Sequence, residues 1–254
     1  FVATSCQGLG ASGWWPCKDH QYDEPEKGVT ISVRVPDSLM NVSNGRLINT
    51  IQHGDATKTW VWQVKEPINN YSVSMNIGKY IHLKDEFEGE AGKLSLNYYV
   101  LPQNKEGAER QFAQVKPMLK CFEYWFGKYP FYQDGFKLVE VPYLGMEHQS
   151  NVAYGNKYMH GYLGRDLSGT GWGLKWDFIV VHESGHEWFG NNITSKDIAD
   201  MWIHEGFTNY SETLFTEWLS GKEAGSAYNK GARKNIRNDK PILGTYNVHN
   251  TGSG

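Results

Sequence analysis

Cysteine is scarce in this sequence, at three residues in 254, too few for a disulfide scaffold. Cys6 and Cys17 are spaced to pair across a hairpin. The reading preferred here is two half-buried thiols, because cysteine commonly serves as a small buried hydrophobe. Cys121 falls on a helical face and reads as core. Long apolar runs are also missing: none reaches the ~18 residues of a membrane span, so no span is expected. Charge of one sign is not concentrated anywhere. The net charge is −3, the pI is near 6.3, and there is no basic run or stripe, so nucleic acid is not an expected partner. Repeats and low-complexity tracts are absent. So are a Gly-x-Ser-x-Gly element and any cysteine with a suggestive local histidine, which leaves seryl and cysteinyl hydrolysis without support. There is no initiator methionine or signal peptide; the chain starts at Phe1 in what reads as mid-sequence, so a piece of a longer protein is expected. No signal for compartment or oligomeric state is present.

What is there centres on Val181-His182-Glu183-Ser184-Gly185-His186. Side chains four apart on a helix lie one above the other. His182 and His186 so placed can grip one zinc ion, and Glu183 beside the first histidine can reach a water on that ion. The flanks suit a helix: Trp176 to Val181 is mostly apolar, Trp188-Phe189 continues it, and Gly190-Asn191-Asn192 reads as its stop. A histidine pair in so apolar a helix carries a desolvation cost unless something binds it.

Nineteen residues after His186, Glu205 stands alone among apolar neighbours in a second amphipathic stretch starting near Ile198. Two histidines and one carboxylate leave a tetrahedral position open for water, the catalytic and not the structural layout. The expected cofactor is one zinc ion per chain on His182, His186 and Glu205. Zinc would lower the pKa of its water toward ~7 and polarise a carbonyl, with Glu183 as general base, then acid, in peptide-bond hydrolysis. His204 points ~100° away around the helix and is expected to be a supporting or surface residue.

His182-Glu183-x-x-His186 with Glu205 in Trp-Ile-His-Glu-Gly-Phe resembles the gluzincin aminopeptidases, the family of aminopeptidase N and leukotriene hydrolase. Trp15-Pro16-Cys17-Lys18-Asp19, Val42-Ser43-Asn44-Gly45 and Gly145-Met146-Glu147 are similar to further segments of that family, so the resemblance covers nearly the whole chain. It implies a zinc aminopeptidase acting on peptides. By the same resemblance, Glu147 would bind the substrate's α-ammonium, Gln7 would assist from the β domain, and Gly145-Met146 would line the peptide along an edge strand. Leu144 and His148 stand where the family has glycine and asparagine, which puts the cleft width and the orientation of Glu147 in question. The family's oxyanion-stabilising tyrosine is expected beyond residue 254, since Tyr246 comes too early. Other readings are a zinc hydrolase of different specificity, an endopeptidase or epoxide hydrolase, and a non-catalytic peptide-binding relative.

The expected fold class is α+β. Val29–Val35, Thr59–Val64, Tyr71–Ile77 and Leu94–Leu101 alternate with period two, and Asn44-Gly45 reads as a hairpin turn. Residues 1–102 are expected to be the later part of an antiparallel β domain, saddle-shaped by resemblance. Residues 103–254 are then the N-terminal part of a thermolysin-like, mixed α/β catalytic domain. Phe112, Val115, Leu119, Phe122 and Phe126 mark a helix, and Pro117 predicts a kink or late start in it. Phe136–Val141 reads as a strand, and residues 150–173 as loop or short strand.

Overall fold

The computed structural model of the chain describes residues 1–7, 10–18, 20 and 22–245. Asp19 and Tyr246 lie outside the described residues. The first six strands are β1 (Val2–Ala3), β2 (Val29–Pro36), β3 (Met40–Ser43), β4 (Arg46–Gln52), β5 (Thr57–Val64) and β6 (Met75–Gly78). They make two small antiparallel sheets, ordered β1-β6-β3 and β2-β5-β4. The alternation behind this is plain in β5, where Trp62 and Val64 are buried two residues apart on one face of the pleat.

Asn44-Gly45 does not close a hairpin. It joins β3 to β4, which belong to different sheets, and serves as a corner. Gly45 has φ +74°, and a Cβ there would lie 2.0 Å from the Gln63 carbonyl oxygen, so only glycine fits. The Asn44 side chain is buried; Nδ2 donates to the Ser72 and Gln149 carbonyls at 2.8 and 2.7 Å, and Oδ1 accepts from the Ser74 N–H at 2.7 Å. Long-range bonds have claimed the side chain that a local turn would have used. The strand expected over Tyr71–Ile77 starts only at Met75. Before it, Asn69 accepts the Tyr71 N–H and sets a 3-10 turn over Asn70–Ser72, the competition that short polar side chains offer to strand pairing.

The second part contains β7 (Ile81–Gly89), β8 (Gly92–Val100), α1 (Lys105–Phe112), α2 (Val115–Phe126), β9 (Phe136–Glu140), β10 (Gly145–Met146), β11 (Val152–Tyr154), α3 (Phe178–Gly185), α4 (Trp202–Ser220) and α5 (Lys222–Ala232). Its mixed sheet runs β10-β11-β9-β8-β7. β9 is parallel to both neighbours, and the outer pairs are antiparallel. The fold is α+β: antiparallel sheets, then a mixed sheet with helices. Sheet pairing runs across residue 102, since β7 and β8 bond to each other and β8 to β9. β7 carries Lys84, Asp85 and Glu86 exposed, which hides it from a search for alternation; charges are usual on an edge strand.

Phe112, Val115, Leu119 and Phe122 are buried and Phe126 packs against them. The helix breaks at Ala113-Gln114, so that Pro117 falls in the first turn of α2, where its missing N–H costs nothing. All three cysteines are thiols, and Cys6 donates weakly to the Tyr71 carbonyl at 3.7 Å. No helix of the described residues is long and apolar enough to cross a membrane.

Candidate metal centre and substrate edge

Helix α3 starts at Asp177, whose carboxylate accepts the N–H groups of Ile179 and Val180, satisfying donors that a helix start leaves open. The same buried carboxylate accepts from the Tyr154 hydroxyl at 2.7 Å and Gln111 at 2.8 Å, tying α3 to the main sheet and α1. The helix ends sooner than the stop at Gly190 suggested. Regular α-helix stops at Gly185 and His186 is its C-cap. The chain goes on in wider turns, with bonds from Asn191 N to His186 O and Asn192 N to Glu187 O. His186 keeps helical dihedrals, so it still lies one turn above His182.

Gly185 decides how closely α4 crosses. A Cβ there would lie 2.7 Å from Ser211 Oγ and 3.1 Å from Thr208 Cγ2. With the two helices in contact, Glu205 in the first turn of α4 reaches the histidines. Its Oε2 is 3.4 Å from His182 Nε2 and 3.8 Å from His186 Nε2, and the two Nε2 atoms are 3.3 Å apart. The three donor atoms lie within 4.8 Å of one another.

The chemistry of this set fits a cation. Each Nδ1 is engaged elsewhere: His182 Nδ1 with Glu212 Oε1 at 2.8 Å, His186 Nδ1 with the Phe189 carbonyl at 3.0 Å and Thr208 Oγ1 at 3.1 Å. With each Nδ1 engaged there, the Nε2 atoms of both rings are the ones turned toward the Glu205 carboxylate. Burial works against charge on His182, yet the Glu205 and Glu212 carboxylates outweigh it and raise its pKa well above the ordinary value. Burial likewise opposes ionisation of Glu205, but the histidines prevail and hold its carboxyl at about 2. Surroundings that favour a proton there favour a metal cation equally. Glu205 is 51% exposed, so the face opposite the helices is open.

Glu212 is absent from the sequence-derived site, although the signal existed. It follows Glu205 by seven residues, nearly two turns, on the same face of α4. It is buried and also accepts from the Tyr228 hydroxyl at 2.6 Å. Such a carboxylate fixes the imidazole's tautomer and raises its basicity. Glu212→Gln is expected to weaken zinc affinity by about 10–100-fold, measured by competition with a chromogenic chelator; unchanged affinity would remove Glu212 from this role.

Glu183 is buried on α3 beside the edge strand β10. A Cβ on Gly145 would come within 2.7 Å of Glu183 Oε1 and 2.8 Å of Ile179 Cγ2, so the strand approaches the helix only because residue 145 lacks a side chain. Met146 turns the other way, into the apolar cluster with Tyr71, Val139 and Ala153. Glu147 is 3% exposed. Its Oε1 accepts from Gln7 Nε2 at 2.5 Å and from the Tyr71 hydroxyl at 3.4 Å, and its carboxylate lies within 4.8 Å of Glu183 and His186 donor atoms. Gln7 thus meets Glu147 across the two parts of the fold.

The Peptidase family M1 domain matches residues 110–247, which is more than half of the chain. The chain belongs to peptidase family M1. Among its relatives, the probable aminopeptidase 2 of Sulfurisphaera tokodaii is 23% identical over 227 residues, covering 86% of this chain and 28% of that protein. Aminopeptidase B of Rattus norvegicus is 26% identical over 226 residues, covering 87% of this chain and 31% of its own length. The crystal structure of an M1 zinc metallopeptidase from Deinococcus radiodurans shares the fold with a TM-score of 0.75 at 20% identity, over 95% of this chain and 52% of that one. A mutant of that peptidase bound to a Tyr-Ser-Ala substrate superposes with a TM-score of 0.74. The chain spans under a third of these curated relatives and about half of the solved chains.

Two further histidines of the chain are buried near the site. His204 is not a surface residue. It is fully buried, its Nε2 accepts the Ser195 N–H at 3.0 Å, and its ring stacks on Tyr71 with centroids 6.4 Å apart. His148, in the place of an asparagine, is fully buried, and among the described residues neither ring nitrogen has a partner. Burial pushes its pKa down to about 3, so the ring is neutral.

Proposed function

We propose that this chain is the metal- and peptide-binding part of a zinc aminopeptidase, one that removes N-terminal residues from peptides. The observation that carries the reading is the nearness of Glu147 to the catalytic face: a buried carboxylate within 4.8 Å of Glu183 and His186 donor atoms. An exopeptidase needs an anion there to hold the α-ammonium one residue from the scissile bond. His182, His186 and Glu205 are the proposed ligands of one zinc ion, which when bound supplies Lewis acidity toward the carbonyl and lowers the pKa of water.

Glu183 is the proposed general base, taking a proton from the attacking water and returning it to the leaving amine. Burial pushes its carboxyl up to about 8, and a divalent cation opposite favours the ionised form that can accept a proton. Gln7 and Tyr71 donate to Glu147 and hold its charge toward the cleft, while the Gly145 backbone on edge strand β10 is available to pair with the peptide. In this reading residues 1–102 belong to an N-terminal β domain and residues 103–254 to the catalytic domain, with β8 pairing to β9 across that boundary.

Glu147→Ala in the full-length enzyme is expected to lower kcat/KM for free-amine dipeptide amides by about 10–150-fold, the worth of a charge-assisted bond in a sheltered site. Gln7→Ala is expected to do the same more weakly. N-acetylated dipeptide amides should be refused by the wild type. Ready cleavage of the N-acetylated series would favour an endopeptidase instead, and equal losses on both series would make Glu147 a scaffold residue.

A further inference from the structure

Asn191 lies just past the zinc-motif segment and has no role in the reading above. It is 3% exposed, and both polar ends of its amide are used. Nδ2 donates to the Glu147 carbonyl at 2.7 Å and to Glu187 Oε1 at 3.3 Å, while Oδ1 accepts from the Ser72 hydroxyl at 3.0 Å. Glu187, fully buried, accepts the Ser150 N–H at 2.9 Å through Oε1 and the Tyr129 hydroxyl at 2.7 Å through Oε2. The stretch from Glu147 to Ser150 is therefore gripped at both ends by two side chains four residues apart. Ser150 has φ +53°, a conformation that a non-glycine residue keeps only when its surroundings impose it.

The grip is anchored to the metal site. The Asn191 N–H bonds to the His186 carbonyl at 2.9 Å, and Glu187 is covalently next to His186. The frame that places the second histidine thus also places the backbone of Glu147. An amine anchor works only at a fixed distance from the scissile carbonyl, and small misplacements are costly.

We infer that Asn191 is a positioning residue for the substrate's amino terminus: it holds Glu147 in register with the histidine pair, and through Ser72 it ties that register to the N-terminal sheets. This rests on the reading of Glu147 as the amine anchor. Asn191→Asp in the full-length enzyme keeps the shape but replaces the donor with an acceptor facing the Glu147 carbonyl and Glu187. It is expected to raise KM for free-amine dipeptide amides by about 5–30-fold, with a smaller fall in kcat. In the Glu147→Ala background the same substitution is expected to add nothing, because the group it positions is gone. Ser72→Ala, which frees Oδ1 of Asn191 and also removes a hydroxyl that bonds Tyr71, one of the donors to Glu147, is expected to raise KM about 2–5-fold.

If Glu147→Ala leaves kcat/KM unchanged, the anchor reading fails and this inference with it. If Glu147→Ala lowers kcat/KM while Asn191→Asp keeps the wild-type KM, or loses only kcat or melting temperature, the positioning role alone is overturned. Additive losses in the double variant overturn it too. Should Asn191→Asp not fold, a wild-type KM in Ser72→Ala decides against it.

Discussion

Glu183→Gln in the full-length enzyme is expected to keep its fold and its zinc and to lose about 10²–10⁴-fold in kcat, the range that a positioned general base contributes. Glutamine is nearly isosteric, which matters because the Glu183 side chain has Gly145 and Ile179 packed close by. The amide cannot accept the proton. Its neutrality suits a buried position, where burial raises the carboxyl's pKa. Steady-state rates with elemental analysis of the same preparation check both halves. Activity within a few-fold of wild type would exclude Glu183 as the base.

The second large effect is on the metal. Glu205→Ala is expected to weaken zinc binding by more than about 100-fold, since even outer partners of a zinc ligand contribute about 10–100-fold. Glu205 is half-exposed and its carboxylate meets His182 and His186, so its removal opens no core cavity. Titration against a chelator of known affinity, on protein purified without chelator, reads the change. Full zinc affinity in Glu205→Ala would exclude Glu205 as a ligand and leave the alternative grouping of Glu147, Glu183 and His186 to be tested the same way.

The elements that were easiest to read are those whose pattern is local. The strand over Val29–Pro36, the helical face from Phe112 to Phe122 and the helix carrying His182 follow the periods of their own backbones. Local pattern misleads where a distant partner overrides local preference. Asn44-Gly45 has the chemistry of a hairpin turn, yet Asn44 bonds to Ser72, Ser74 and Gln149 instead. β7 carries charges because it is an edge, and its place in the order β10-β11-β9-β8-β7 is not a property of residues 81–89. The spacing of His204 on α4 leaves a supporting or a surface place open, and the loop bearing Ser195 with the Tyr71 ring gives it the buried, supporting one.

The site divides along the same line. By itself the sequence determined that His182 and His186 share one face with Glu183 beside them, because the spacing of four is a geometric property of one helix turn. Helix periodicity likewise puts Glu212 on the face of Glu205. Tertiary structure alone decided that Glu205 reaches both Nε2 atoms, which depends on α3 and α4 crossing at Gly185 with no side chain between them. It alone decided that Gln7 meets Glu147 across 140 residues of chain, and that Asn191 and Glu187 hold Glu147 and Ser150 from beneath. Contacts within one helix turn are set by backbone dihedrals, whereas contacts between segments far apart in sequence exist only once packing has brought those segments together.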